Sequence, residues 1–234
     1  MHRAQVYLLL AVCFAVLPLH RMCMAQLETP KPIVGVPFTA FETVRKTQGT
    51  DVYVSTGTIA RRSDGSIYWN LVTKKNEVEI PSIIILDDAA KHVALELYVW
   101  LHQYTSDPWQ ASDFVFHPIS AEQYLKRAGG EGAKRTFGEI NQYTTLGIRQ
   151  IAGLQTVGTH LERPIGTIET WYSPELDMNL ERKAHEAKPG GEDALMAIQE
   201  VRLGEPDPKL FEVPPGYTLV DRKTLVHGSP APAK

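Results

Sequence analysis

Two runs rich in β-branched residues, joined by a tight turn, constrain this chain more than any other feature. Thr50 to Ala60 (TDVYVSTGTIA) has the Val, Thr and Ile content of a strand. Arg62-Ser63-Asp64-Gly65-Ser66 follows, and Asp-Gly is hairpin chemistry because both central residues of a type I′ turn need positive φ. Ser66 to Thr73 (SIYWNLVT) then returns, with Ile67, Trp69 and Leu71 on one face. The pattern recurs along the chain. Pro81 to Leu86 is a short apolar run. Val93 to Leu101 alternates, placing Val93, Leu95, Leu97, Val99 and Leu101 on one face and Ala94, Glu96, Tyr98 and Trp100 on the other. A helix is the rival there, since Ala, Leu and Glu favour it. Strands resume near Ile140 and run to Leu161, broken by Gly147, Gly153 and Gly158. Ile165–Tyr172, Met178–Glu186 and Asp193–Arg202 follow, separated by turns at Ser173–Leu176 and Pro189–Gly191. A capping box, Ser120-Ala121-Glu122-Gln123, opens a short helix through about Arg127, which Gly129, Gly130 and Gly132 end.

Many short strands with one or two short helices predict a mainly β (α+β) fold: a single curved antiparallel sheet or a half-open barrel. A second sheet or a helix lying across it must cover one face. Leu210 and Phe211, in the Pro-rich corner Glu205–Phe211, should plug the core. Tyr217 ends the ordered part in this reading. The predicted domain spans residues 38–222, after an extended lead-in at 26–37 and before a disordered tail at 223–234.

Residues 1–25 read as a secretory signal peptide. His2 and Arg3 start it, and Val6 to Leu19 is an apolar run of 14 residues, short of the roughly 20 that a membrane span needs. Cys23-Met24-Ala25 offers a small-x-small cleavage site before Gln26. An uncleaved membrane anchor is the alternative. Cleavage after Ala25 removes Arg3 and Arg21 and no acid, taking the net charge from -3 to about −5. It also removes Cys13 and Cys23, leaving no disulfide, thiol nucleophile or thiolate metal ligand. This combination predicts a periplasmic or secreted protein with no transmembrane span after cleavage.

The composition is that of an ordinary globular chain, and its weakly acidic balance without a basic block argues against nucleic acid as a partner. No H-E-x-x-H, G-x-S-x-G or G-x-x-x-x-G-K motif occurs. His92 and His102, even if on one face of one strand, would lie about 33 Å apart and could not share a metal. No cofactor and no metal site is predicted. Glu169, inside an apolar strand beside Trp171, has the environment for a raised pKa, and with Glu175 or Asp177 it could form a carboxylate pair such as retaining glycosidases hold about 5 Å apart. The plainer alternatives are a solvent-facing Glu169 or an ion pair with Arg182 across the hairpin. Aromatic residues are most often core, but on a curved half-barrel the concave face is core and cavity at once. Trp69, Leu97, Val99 and Trp171 are therefore the predicted cavity-lining, ligand-binding residues.

The string Glu169-Thr170-Trp171-Tyr172-Ser173-Pro174-Glu175-Leu176, followed by Glu205-Pro206-Asp207-Pro208-Lys209-Leu210-Phe211-Glu212-Val213-Pro214-Pro215-Gly216-Tyr217, resembles a group of secreted bacterial proteins of uncharacterised function. Leu146-Gly147, Ile151-Ala152-Gly153-Leu154 and Gly158-Thr159 carry the same resemblance. The strand order and the closing Leu-Phe-x-x-Pro-x-x-Tyr are also similar to periplasmic carriers of the lipoprotein-localisation (LolA-like) type. That likeness implies a half-open barrel that binds acyl chains or lipoprotein segments without catalysing a reaction. The leading expectation is an exported, non-enzymatic binding protein of the bacterial envelope, taking a lipid or lipoprotein segment in an apolar concavity. The alternative is a structural or sensing protein that binds an envelope partner at a sheet edge. A carboxylate-dependent hydrolase ranks below both.

Overall fold

The computed structural model describes residues 29–110, 112–137 and 141–225. The signal segment 1–25, both cysteines and the tail from Gly228 lie outside them. The Asp64-Gly65 hairpin forms as expected: β3 (Asp51–Arg61) and β4 (Ile67–Lys75) pair antiparallel from Tyr53↔Lys75 to Arg61↔Ile67. Gly65 alone takes a positive φ, +88°, so the turn is not type I′; the Gly65 amide donates to Arg62 O at 3.0 Å and the Arg62 amide to Ser66 O at 2.9 Å. β2 (Phe38–Gln48) pairs with β3 along its whole length. β6 (Ile83–Asp88), β7 (Val93–Tyr98) and β8 (Gln103–Pro108) extend this meander beyond β4, and β5 (Val78–Ile80) pairs with the far end of β4.

A second meander runs through β10 (Lys134–Phe137), β11 (Asn141–Ile151), β12 (Leu154–Arg163), β13 (Gly166–Ser173), β14 (Met178–Glu186) and β15 (Glu192–Leu203). β15 pairs antiparallel with β2 from Glu192↔Gln48 to Leu203↔Phe38, which welds the two meanders into one sheet. The sheet is large, curved and open, and does not close into a barrel. Two short parallel pairings accompany it: β1 (Ile33–Val34) with β9 (Ser112–Val115), and β16 (Thr218–Leu219) with β8. The helix α1 (Ala121–Arg127) begins at the predicted capping box. Ser120 Oγ accepts from the Gln123 amide at 3.2 Å, and Gln123 Oε1 accepts from the Ser120 amide at 3.1 Å.

Alternation decides which side chains enter the core. In β2, Phe38, Ala40, Glu42 and Val44 are buried while Phe41 and Arg45 are exposed. Cross-strand register continues this face as an apolar row, Ala40↔Ile59↔Trp69↔Ile85. The curl of the sheet brings Leu154, Leu176 and Leu180 into the same cluster. The cover therefore comes from the sheet's own curvature and not from a second sheet or a helix.

The opposite face carries a separate cluster on Ala60, Leu86 and Leu97, sealed by a C-terminal strap that packs Leu210, Phe211 and Tyr217 against it. Phe211 is buried, with its ring 6.3 Å from that of Tyr68. Beyond Tyr217 the chain continues along β8. The Thr218 amide donates to His102 O and the Val220 amide to Tyr104 O, both at 2.9 Å. Arg222 Nη2 reaches Asp107 Oδ2 at 2.6 Å and Glu96 Oε1 at 3.1 Å. Backbone pairing and a cation between two carboxylates hold the segment that follows the Pro214-Pro215-Gly216 turn.

Candidate functional site

The four predicted cavity residues occupy separate environments. Trp69 lies in the interior cluster between Ile59 and Ile85, with its indole N–H buried and without a hydrogen-bond partner among the described residues. Leu97 is fully buried on the other face, under the strap. Val99 is not in a strand at all. β7 stops at Tyr98, and Val99–Leu101 forms a 3-10 turn closed by His102 in the left-handed region at φ +50°. The ring of Trp100 stands edge-on to Tyr98 at 5.6 Å, so this turn packs its aromatic residue back on the strand it leaves. The nine-residue alternation thus overran the strand by a turn. His92, also at positive φ, is a turn residue at the other end of β7, so the two histidines never share a strand face.

Trp171 sits in a polar clamp. Register places it between Gly158 and Glu181. A Cβ built on Gly158 would lie 2.7 Å from Trp171 Cη2 and Cζ3, so the indole rests directly on the glycine. The Arg149 guanidinium covers the ring at 4.0 Å from its centroid, a cation–π arrangement. The Trp171 indole N–H donates to Glu169 Oε1 at 2.8 Å. Arg149 and Lys183 converge on Glu181 Oε1 at 3.1 and 2.9 Å. Burial alone would raise the Glu181 carboxyl pKa, but these two hydrogen bonds outweigh it and hold it below the usual carboxylate range.

The clamp borders a shallow groove of about 430 Å³. Its floor is a cross-strand row, Arg45↔Leu195↔Lys183↔Glu169↔His160, running over five strands. Beside the row, His185 Nδ1 and Asp193 Oδ1 are 2.6 Å apart at the exposed rim. Charges of both signs at strand spacing suit a polar ligand or a polypeptide, not an acyl chain. Glu169 faces Lys183, while Arg182 pairs with Thr170. Glu169 and Arg182 therefore fall on opposite faces, which removes the alternative of an ion pair between them across the hairpin.

Glu169 also stays apart from its proposed carboxylate partners. It precedes the end of β13 by four residues, about 13 Å along the strand, and Glu175 and Asp177 lie in the turn beyond. That spacing exceeds the separation of a retaining carboxylate pair. Asp177 belongs to a different group. It accepts from Tyr172 Oη at 2.5 Å and from Lys31 Nζ at 2.7 Å. Burial, then the hydrogen bond to Asp177, drives the Tyr172 phenol pKa well above its ordinary value. Arg61, fully buried, donates to Leu176 O at 2.8 Å and Val36 O at 3.0 Å. Burial lowers its pKa to about 10, with the nearby Asp177 and Tyr172 opposing the fall. Sequence reasoning missed both groups, since only the fold brings Lys31, Arg61 and Asp177, or Arg149 and Trp171, together.

Among the described residues, no three His, Cys, Asp or Glu side chains converge as metal ligands. No helix of the described residues is long and apolar enough to cross a membrane.

Fold and site thus define a mainly β protein built on one open, curved sheet, with a polar clamp and groove on its surface. No protein-family model matches the sequence, and no curated protein does. Several solved structures are similar at low identity. One is the MucA/MucB complex of Pseudomonas aeruginosa, at 11% identity and TM-score 0.40 over 74% of this chain and 55% of that one. An uncharacterized conserved protein from Thermus thermophilus is 10% identical, at TM-score 0.43, over 81% of this chain and 92% of that one. A LolA-superfamily protein from Nitrosomonas europaea is 12% identical, at TM-score 0.22, over 75% and 90%. The chain spans little more than half the length of the matched chain in the MucA/MucB complex.

Proposed function

We propose that this protein is an exported, non-enzymatic binding protein of the bacterial envelope, and that its ligand is an extended polypeptide segment of an envelope partner. The export part rests on residues 1–25 and on the resemblance of residues 169–176 and 205–217 to secreted bacterial proteins. The observation that carries the binding part is the sheet itself. One end is finished by the strap on β8, while the other stops at β10 with no further strand among the described residues. Its interior is filled by its own side chains, Trp69, Ile85 and Met196 among them, which supports a surface-bound partner over a buried acyl chain.

A lipid is the second reading. It is favoured by a recess of about 460 Å³ bounded by Tyr143 and Leu161 with Arg163 beside them, where an acyl chain would meet apolar walls and a cation.

Native mass spectrometry of residues 26–234 purified from a bacterial periplasm, followed by crosslinking in the envelope, tests both. A bare chain that crosslinks to an envelope polypeptide is the expected result. A co-purifying lipid mass, lost on mild activation, moves the assignment to the second reading. A bare chain with no crosslinked partner overturns the binding role.

A further inference from the structure

The free end of the sheet has a specific chemistry. Among the described residues β10 pairs only with β11, from Lys134↔Thr144 to Phe137↔Asn141. Just before it, the Thr145 amide donates to Ala133 O at 3.0 Å and the Gly132 amide to Thr145 O at 2.8 Å. Ala133 therefore directs its carbonyl at β11. Alternation along an antiparallel pair then turns Arg135 toward β11 and leaves the backbone N–H and C=O of Lys134 and Thr136 pointing away from the sheet. All three side chains from Lys134 to Thr136 are exposed.

Charge around this edge is one-sided. Lys126 and Arg127 end α1, and Arg135 Nη2 donates to Arg127 O at 3.2 Å, which draws the helix end to the strand. Lys126, Arg127, Lys134 and Arg135 thus stand together, all exposed, with Glu131 the one acid between them in sequence. This is a local excess of positive charge in a chain whose net charge is -3.

We propose that the β10 edge is a docking site for an extended acidic segment, which adds as a strand to the backbone groups of Lys134 and Thr136 while its carboxylates face Lys126, Arg127, Lys134 and Arg135. The proposal deepens the binding role argued above and rests on it. Backbone pairing supplies register, and the cations select an acidic partner and speed its encounter. A second copy of the chain fits less well, because pairing β10 with itself would oppose Lys134 and Arg135 to their own copies.

The test uses the full chain from residue 26 and a fluorescently labelled ten-residue peptide alternating Val or Thr with Glu. Binding should be saturable by anisotropy, and hydrogen exchange should show the Lys134 and Thr136 amides slowed at saturation. Thr136→Pro removes one outward N–H at a position where an edge strand tolerates proline. It should abolish that protection and leave the circular dichroism and melting temperature close to wild type. Lys134→Glu with Arg135→Glu should weaken binding about tenfold or more.

Several results would overturn the proposal. One is absence of saturable binding, which would leave the lysine and arginine merely blunting the edge against self-pairing. Others are protection mapping elsewhere, unchanged affinity in Thr136→Pro, or a peptide-independent dimer that this variant dissolves. If an envelope partner is still crosslinked to Thr136→Pro as well as to wild type, the edge assignment fails and the binding role stands.

Discussion

Gly158→Ala offers a sharp test, because two effects of opposite sign compete at this position. Gly158 is a buried strand residue with no need of positive φ. If nothing stood over it, alanine would stabilise the fold by about 0.4–1 kcal/mol, through the unfolded chain's lost freedom. The structure places Trp171 on it. The new Cβ would lie 2.7 Å from two carbons of the indole and 2.9 Å from Leu146 Cβ, closer than carbon atoms approach. The ring must lift, and lifting it works against the 4.0 Å stack under Arg149 and the 2.8 Å bond to Glu169. Overpacking of this kind costs about 1–3 kcal/mol. The net effect should be a loss of about 1–2 kcal/mol, or about 2–8 °C in melting temperature for a chain of this size. Thermal and urea melts followed by circular dichroism read it. In a Trp171→Leu background the same glycine change should cost less than in wild type, because the indole clash is gone and only the 2.9 Å approach to Leu146 Cβ remains. Stabilisation by Gly158→Ala in the wild-type background, or equal costs in the two backgrounds, would refute the clamp.

Three further substitutions probe the supports of the fold. Arg61→Met leaves Val36 O and Leu176 O without their donor and should cost about 2–6 kcal/mol in urea melts, from one buried and one part-buried carbonyl at about 1–3 kcal/mol each. Phe211→Ala should cost about 3–5 kcal/mol and expose the Leu97 cluster, seen as new binding of a hydrophobic dye to the folded chain. Tyr172→Phe should be less stable than wild type by about 1 kcal/mol at pH 7. The folded pKa of Tyr172 lies above its unfolded value of about 10, so the phenol's contribution is complete below pH 10 and is lost as pH rises beyond it. The gap between Tyr172→Phe and wild type, measured by urea melts from pH 7 to pH 11, should therefore narrow above pH 10. A gap that widens would contradict the assigned hydrogen bond.

What could be read from the sequence was local. Asp64-Gly65 and Ser120 with Gln123 act within a few residues, so turn and capping chemistry place the β3–β4 hairpin and α1 correctly. β14, at Met178–Glu186, coincides with the sequence boundaries because turns flank it on both sides. What failed depended on partners far along the chain. β2, the strand joining both meanders, lies between Pro37 and the Gly49 turn, but neither breaker says that it pairs with β15 at Glu192–Leu203. Alternation in Val93–Leu101 showed that Leu97 and Glu96 face opposite ways, but not which side the strap would cover. Aromatic and apolar content cannot say that Trp69 faces the curl and Leu97 the strap. Trp171 needed Gly158 as a floor and Arg149 as a lid, and no periodicity links those three.

The filled interior also limits how this molecule can bind. A β10 edge offers an incoming strand two N–H and two C=O groups, at Lys134 and Thr136. At about 0.5–1.5 kcal/mol net per hydrogen bond they contribute about 2–6 kcal/mol. Loss of translational and rotational freedom costs about 4–15 kcal/mol, so the backbone alone cannot hold a partner. The remainder must come from charge and from contacts that the partner makes with neighbouring side chains. The four cations beside the edge are exposed, so their contribution fades as salt shortens the screening length from about 10 Å at 0.1 M to about 3 Å at 1 M. An acidic peptide should then dissociate as salt rises over that range, mainly through a slower association rate. A complex equally tight at both salt concentrations would mean that its binding energy resides elsewhere on the sheet, with the groove over Arg45, Lys183 and Glu169 the next surface to test.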